Sequence, residues 1–287
     1  MAKTRELKRR IRSVEKTRQI TKTMEMVATS RLKRTQDRVV AARPYAAALA
    51  EVIETLYDPR LEEQFPLLRR PAGDPKRVAL LLITSNRGLC GSFNANLIRM
   101  GRDRVAELEA RGIEVELFGV GRKGIGYFKY MGRTFAGERQ DIGDRPTPEH
   151  AAELVEPLMK RFEEGELDAV EVVFARFDNP VSTPPTLLPL LPIARPEGGR
   201  TVNYLLRPSP EEIVRRILPL YVRNGMYRAL VETAASENGA RRTAMKNATD
   251  SAGDMIDVLR RDYNRARQGQ ITQELAEIVG GAEALKG

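Results

Sequence analysis

Residues 28–56 read ATSRLKRTQDRVVAARPYAAALAEVIETL, and this stretch decides the fold. Mostly apolar residues recur in it at alternating steps of four and three, the heptad spacing that places side chains along one face of a helix. The row consists of Ala28, Leu32, Thr35, Val39, Ala42, Ala46, Leu49, Ile53 and Leu56. The spacing predicts a long helix that pairs with another helix along this row.

The row extends upstream through Leu7, Ile11 and Val14, and it is interrupted at Arg18, Thr21 and Glu25. A second apolar row, with Met26 beside it, appears at this interruption and consists of Ile20, Met24 and Val27. Two apolar faces at one level predict two neighbours there. About 55 residues would span roughly 80 Å, which is longer than a compact domain needs. Pro44 predicts a kink rather than an end, because the row resumes in register beyond it.

The C-terminal part begins with Ser209-Pro210-Glu211-Glu212, in which a capping serine precedes a proline at the first helical position. A second row follows over about 70 residues and is rich in Ala, Asn and Met. Its members are Ile213, Ile217, Leu220, Asn224, Tyr227, Val231, Ala234, Asn238, Arg241, Met245, Ala248, Ala252, Met255 and Leu259. We expect the two terminal helices to pair antiparallel. The alternative is two ordinary amphipathic helices that fold back in pieces.

Between the two helices the pattern changes to alternating strands and helices, which is typical of a Rossmann-like three-layer α/β domain. The expected strands are 77–84, 113–120, 134–136 and 167–177, with a proline-studded edge strand at 181–193. The expected helices are 95–111, 122–131 and 148–164. The predicted organisation is therefore an N-terminal coiled-coil helix at 1–58, a central α/β domain at 76–195 and a C-terminal coiled-coil helix at 209–287.

Charge and composition narrow the possible functions. The net charge is +9, yet residues 1–43 alone hold 14 Lys/Arg and 4 Asp/Glu, which gives them +10. An acidic partner surface is expected to meet that segment. Cys90 and His150 are each the single residue of their type, so neither a disulfide within the chain nor a thiolate metal cluster is expected. No apolar run approaches the ~20 residues of a membrane span, and the N-terminus lacks the apolar core of a signal peptide.

Two glycine-rich stretches suggest enzyme chemistry. Gly119–Gly124 (GVGRKG) has the GxGxxG spacing of a dinucleotide fingerprint, with Asp141 about twenty residues on, but it follows the second strand instead of the first. A glycine-tightened turn is favoured there. Residues 85–92 (SNRGLCGS) lack the ending of a phosphate loop, and Cys90 has no neighbouring base, so a tight packing loop is favoured. The basic N-terminal helix leaves a further alternative, a coiled-coil nucleic-acid-binding protein.

The last residues, 271–282, read ITQELAEIVGGA and closely resemble the signature of the gamma subunit of F-type ATP synthases. The resemblance extends over the whole chain, in the family's order and spacing. Its other motifs are ITKTMEMVA at 20–28, RGLCG at 87–91, AMKNATD at 244–250 and YNRARQ at 263–268.

The resemblance implies a bacterial-type central stalk, the rotor shaft of a proton-translocating ATP synthase. Its partners would be the alpha and beta subunits of the catalytic ring, the epsilon subunit and the membrane c ring, with no nucleic acid. The shaft itself would be non-catalytic, would hold no cofactor or metal, and would lie peripherally on the cytoplasmic face of the membrane without entering it. The expected contacts with the alpha/beta ring are Ile20, Lys22, Met24, Val27, Arg267, Gln268, Thr272 and Glu274.

Three residues depart from that family's pattern. Gly239 and Arg242 stand where the family usually has alanine and methionine, and Asn86 replaces a commonly acidic residue. A glycine inside a helix destabilises it by ~1 kcal/mol relative to alanine. None of the three departures is expected to change the architecture.

Overall fold

The structure is a computed structural model that describes residues 2–56, 61–70, 73–194 and 209–284. Six α-helices and five β-strands are assigned within these ranges. The helices are α1 Ala2–Leu56, α2 Leu61–Gln64, α3 Phe93–Ala110, α4 Arg122–Tyr130, α5 Pro148–Glu163 and α6 Pro210–Ala284. The strands are β1 Arg77–Ile83, β2 Glu114–Val120, β3 Gly137–Arg139, β4 Ala169–Ala175 and β5 Pro185–Leu191. No helix in the described ranges has the length and apolar character to cross a membrane.

The chain divides into two compact units, one made of Met1–Val27 with Arg242–Gly287 and the other of Ala28–Arg241. Both long terminal helices therefore contribute to both units. Helix α1 continues through Pro44 without a break in its helical assignment, as expected from the row that resumes in register beyond it, and the kink stays a prediction. Helix α6 begins at the predicted proline, and the amide of Glu212 donates to the Ser209 hydroxyl at 3.2 Å, which confirms the serine cap.

The second unit contains a five-stranded sheet in the order β3-β2-β1-β4-β5. The first four strands are parallel, and β5 pairs antiparallel with β4 at the edge. The prolines of β5 fit an edge because the outer side of such a strand needs no donors. The short strand predicted at 134–136 is wrong by three residues, because the structure places it at Gly137–Arg139. Ala136 does donate to Leu117 O at 2.8 Å, but regular pairing begins only at Gly137, opposite Phe118.

The sheet is covered on both faces, so the three-layer prediction is confirmed. On one face, the β1 residues Leu80 and Leu82 pack in a core with α3 and α4. On the other face, Ala79, Leu81 and Ile83 pack with α5 and with the first part of α6. The alternation follows from the two-residue period of a strand, which sends successive side chains to opposite faces.

Within this unit, α1 also pairs with α6. Ile53 packs in the same core as Val214 and Leu218, and Leu32 and Val39 pack with Val231 and Ala235. Since low numbers on α1 meet high numbers on α6, the pairing is antiparallel. Helix α6 is enclosed by α1 and by the α/β layers here, which is why every residue of 229–236 is buried.

Candidate functional site: the paired terminal helices

Three side-chain contacts define how α1 and α6 pair in the first unit. The hydroxyls of Thr21 and Thr249 lie 2.8 Å apart, Arg260 binds Glu15 at 2.8 Å, and Thr4 reaches Gln270 at 3.0 Å. As the residue number falls along α1, its partner's number rises along α6. The predicted antiparallel pairing of the two ends is therefore confirmed.

The buried row of α6 agrees with the predicted row at Met245 and Ala252 and differs from it by one residue at the two alternate positions. The buried residues are Met245, Thr249, Ala252 and Ile256, whereas the sequence pattern included Ala248 and Met255. Met255 is 54% exposed. The error arose because Ala248 and Thr249 are both small enough for a close helix contact, so apolarity alone could not choose between the two heptad registers.

Thr21 was interpreted as an interruption of the α1 row, but the structure places it inside the row. Thr21 and Thr249 are both buried, and their hydroxyls meet while each also lies within hydrogen-bonding distance of a carbonyl on its own helix. A buried polar pair is most stable when the two groups face each other, so it favours one register of the two helices over its neighbours. Thr21 therefore does not break the row; its contact with Thr249 fixes the register of the two helices.

The first group of predicted contact residues lies on the outside of the helix pair. Ile20 is 60% exposed and Val27 is 48% exposed, while Met24 is half-buried. Lys22 binds Glu25 one turn away at 3.3 Å and is exposed. The second apolar row therefore faces away from α6, as expected for a surface that needs a neighbour other than α6.

The second group, Arg267, Gln268, Thr272 and Glu274, is exposed along α6. Its hydrogen bonds stay within the helix: Thr272 donates to Gln268 O at 3.0 Å, and Gln270 donates to Glu274 at 2.8 Å. Gln270 lies among the second group, and Thr249 contacts Thr21 beside the first group. The two residues are 21 positions apart on α6, which corresponds to roughly 30 Å along a helix. The two predicted groups therefore form separate patches.

The charged side chains of this unit leave α1 strongly basic on its surface. Glu6 is bound by Arg10, Glu15 by Arg260 and Glu25 by Lys22. By contrast, several exposed cations of α1 have no ion pair or hydrogen bond among the described residues, including Arg9, Arg12 and Lys16. These acidic side chains of α1 are therefore neutralised by neighbouring cations, whereas several of its own cations are not neutralised. The exposed surface of α1 in this unit carries a net positive charge, as the sequence predicted.

The exposed apolar surface of α6 extends beyond the residues predicted to contact the alpha/beta ring. Met255 and Val258 are 54% and 46% exposed on α6. Beyond Gln270 the helix continues to Ala284, and every residue of 271–281 is exposed. Four large apolar side chains lie there at helical spacing: Ile271, Leu275, Ile278 and Val279. The spacing i, i+4, i+7, i+8 was a readable signal of one apolar face.

In the second unit, the two glycine-rich stretches are packing turns. Gly121 has a φ of 93°, and a Cβ there would lie 2.0 Å from the carbonyl oxygen of Thr84. A Cβ on Gly124 would lie 2.9 Å from the Thr84 side chain. The two glycines therefore allow the start of α4 to approach Thr84, the residue that follows β1, which agrees with the glycine-tightened turn favoured from the sequence.

Cys90 is a core residue of the loop that follows β1. It is 2% exposed and lies in the same core as Phe93 and Leu97. Burial raises the pKa of its thiol, although nearby Arg241 and a hydrogen bond with Ser85 act in the opposite direction. A thiol held neutral in this way is a poor nucleophile.

Comparisons with known proteins agree with this architecture. A family model described as ATP synthase matches residues 3–285. The chain is 58% identical to the ATP synthase gamma chain of Gemmatimonas aurantiaca, over the full length of both, and 45% identical to that of Moorella thermoacetica, again over the full length of both.

Solved structures show the same fold. A chain of the central stalk and c ring of Tetrahymena thermophila mitochondrial ATP synthase aligns with a TM-score of 0.59 at 26% identity, covering 80% of this chain and 99% of that one. A chain from the OSCP/F1/c-ring part of Euglena gracilis mitochondrial ATP synthase aligns with a TM-score of 0.69 at 22% identity, covering 99% and 95%. With identity extending over complete relatives, the chain belongs to the ATP synthase gamma chain family.

Proposed function

We propose that this chain is the central-stalk subunit of a bacterial proton-translocating ATP synthase and that it transmits rotation between a membrane c ring and catalytic beta subunits. The observation that carries the proposal is the antiparallel pair formed by residues 2–27 and 242–284, whose outer surface is basic and apolar and whose α6 end is exposed. An exposed apolar surface of this kind is typical of a chain that works inside an assembly.

Each of the three parts expected from the sequence would have its own role. The helical parts at 1–58 and 209–287 would form the shaft, and the α/β domain at 76–195 would carry the contacts with the epsilon subunit and the c ring. The chain itself would be non-catalytic and bind no nucleic acid. It would lie peripherally on the cytoplasmic face of the bacterial membrane.

Two patches would meet the alpha/beta ring. The first combines Ile20, Met24 and Val27 with the cationic Lys22, and it suits a partner surface with both apolar and acidic groups. The second consists of Arg267, Gln268, Thr272 and Glu274, whose exposed polar groups suit directional hydrogen bonds with a ring subunit. The apolar face of residues 271–279 suits an apolar collar, where few polar contacts would resist turning.

The proposal is tested by attaching a visible probe to the α/β domain of the assembled enzyme. Tyr130 is 88% exposed, so a Tyr130→Cys variant offers a labelling site, whereas the native Cys90 is buried. With the catalytic ring immobilised, ATP is expected to drive continuous rotation of the probe. Hydrolysis of ATP by a complete complex with a stationary probe would contradict the proposal.

A second measurement tests the non-catalytic role. The isolated chain is expected to hydrolyse no ATP. When the chain is purified from native membranes instead, alpha and beta subunits are expected to co-purify with it in stoichiometric amount. Tight binding of duplex DNA by the isolated chain, falling steeply with salt, would instead support the nucleic-acid alternative.

A further inference from the structure

The second unit contains a cavity that the proposed rotor role does not use. Its volume is about 350 Å³, and it lies at the carboxyl ends of β1 and β2, between Thr84, the start of α4, the segment 140–144 and α6. The carboxyl ends of parallel strands are where sheets of this type place their ligands, and the volume falls within the range of small-molecule sites.

The charges around the cavity do not cancel. Glu237 is bound by Arg241 at 2.6 Å, and Asp144 is bound by Arg31 at 2.5 Å, so each carboxylate of the lining is already neutralised. Arg87 and Arg122 also line the cavity, and neither guanidinium has an ion pair or hydrogen bond among the described residues. With Arg31 and Arg241 counted, four arginines face two carboxylates, which is an excess of two positive charges. Arg87 and Arg122 are exposed at the rim, and Arg87 also acts on Glu237: burial raises the pKa of that carboxyl, and Arg87 is among the cations that oppose the rise.

The lining between the arginines is mixed: the polar residues Thr84, Gln140 and Thr233 face the cavity together with apolar side chains. The apolar part is formed by the side chains of Ile83, Val120, Ile142, Leu230 and Ala234, which are all buried. Two arginines on the rim and a mixed polar and apolar lining favour a ligand with an anionic end and an organic body that carries both polar and apolar groups.

Hydrogen bonds hold the backbone around the cavity in place, and they also occupy its amide donors. Asn86 donates to the carbonyls of Gln140 and Ile142 at 2.8 and 3.1 Å, and it accepts from the Arg122 amide at 2.9 Å. The Gly124 amide donates to Thr84 at 2.9 Å. Because these amides at the start of α4 are occupied, an anion would have to be bound by the guanidinium groups instead of by the helix N-terminus.

We propose that this cavity binds a small organic phosphate monoester, with the phosphate held by Arg87 and Arg122 and the organic body lying against the mixed lining below them. A phosphate monoester carries about −1.5 to −2 charges at neutral pH, which matches the two unpaired guanidinium groups. Arginine also binds phosphate through paired N–H groups, so two arginines give both charge balance and orientation. The proposal is independent of the rotor role.

The test uses the isolated full chain and AMP as the probe, with binding measured by calorimetry. AMP is expected to bind saturably at one site per chain, and adenosine, which lacks the phosphate, is expected to bind at least tenfold more weakly. Arg87→Gln and Arg122→Gln are each expected to weaken AMP binding by about tenfold, because each removes charge-assisted hydrogen bonds.

Arg99→Gln is the matched control, since Arg99 is an exposed arginine on α3 that has no ion pair or side-chain hydrogen bond within the described part of the chain and does not line the cavity. AMP affinity should be unchanged in this control, and thermal unfolding should be unchanged in all three variants. The proposal is overturned if AMP shows no saturable binding at millimolar concentration, if adenosine binds equally well, or if Arg99→Gln weakens binding as much as the rim variants do.

Discussion

At the scale of single residues, the positions that depart from the family pattern have local explanations. A Cβ on Gly239 would lie 3.0 Å from the carbonyl oxygen of Pro180, so the glycine allows α6 to approach that backbone closely. Asn86 donates two hydrogen bonds to carbonyls and accepts one from an amide, whereas an ionised carboxylate could not donate. For Arg242 the structure offers no comparable explanation.

Gly121 gives a prediction about stability. Replacing it with alanine would place a Cβ 2.0 Å from Thr84 O, in a backbone conformation with φ at 93°. We expect Gly121→Ala to lower the free energy of unfolding by about 3 kcal/mol or more, from left-handed strain and overpacking together. Gly126, inside α4, is the control: its Cβ would meet nothing within 4 Å, so Gly126→Ala should stabilise the helix by about 0.5–1 kcal/mol. Urea unfolding of both variants measures the difference, and equal effects would contradict the packing account.

Cys90 gives a prediction about pH. Because burial raises the pKa of the folded thiol, the folded state keeps its proton at a pH where the unfolded chain has lost it. The neutral thiol therefore contributes fully to the free energy of unfolding below the pKa of ~8.5 that it has in the unfolded chain. This contribution is lost as the pH rises through the pKa of the thiol in the folded state. We expect the stability of the native chain relative to Cys90→Ala to fall above pH 8.5, by at most about 1.4 kcal/mol per pH unit. Urea unfolding at pH 7 and pH 10 tests this, and a difference that stays constant with pH would contradict it.

At the scale of elements, α6 combines an enclosed middle with an exposed end. Residues 229–236 are buried on all sides, whereas residues 271–281 are exposed, and the side-chain bonds recorded there link residues of the same helix. The described part of this helical end therefore contributes no buried side chain. Its stability depends on helix propensity and short-range pairs, which are individually weak.

Deletion of residues 271–287 tests that distinction. The thermal unfolding transition of the unit Ala28–Arg241 is expected to remain within about 2 °C of its original midpoint, because residues 271–281 are all exposed and belong to the other unit. Under the proposed function, coupled ATP synthesis by the assembled enzyme should fall. A longer deletion from residue 245 also removes Met245, Thr249, Ala252 and Ile256, and it should abolish the helix pairing in the first unit. Loss of the central transition in the shorter deletion would show that the exposed end is needed for folding.

At the scale of the whole molecule, the proposed mechanism requires α1 and α6 to turn together. Thr21 and Thr249 offer a test, because their hydroxyls lie 2.8 Å apart and cysteine sulfurs at these positions would be close enough to bond. In a Cys90→Ala chain, Thr21→Cys with Thr249→Cys is expected to form a disulfide under oxidation. ATP-driven rotation of the assembled enzyme should continue, since the bond joins two parts of one rotor.

Thr21→Cys alone is the control and should give no disulfide within the chain. If oxidation of the double variant stops rotation and reductant restores it, the two helices must move past each other and the shaft proposal is wrong. Failure of the double variant to form the disulfide would contradict the helix pairing itself.

The sequence by itself determined the elements of this protein. Heptad spacing predicted both long helices, a serine–proline start marked α6, and strand–helix alternation predicted the three-layer domain, because these signals depend on residues close together in the chain. The tertiary structure decided the pairing register: Thr21 and Thr249 are polar, and only their meeting across 228 positions shows that they belong to the buried row. It also decided that Arg31 and Arg241 neutralise the cavity's carboxylates while Arg87 and Arg122 stay unpaired. Such assignments depend on distances between segments remote in sequence, which local periodicity does not contain.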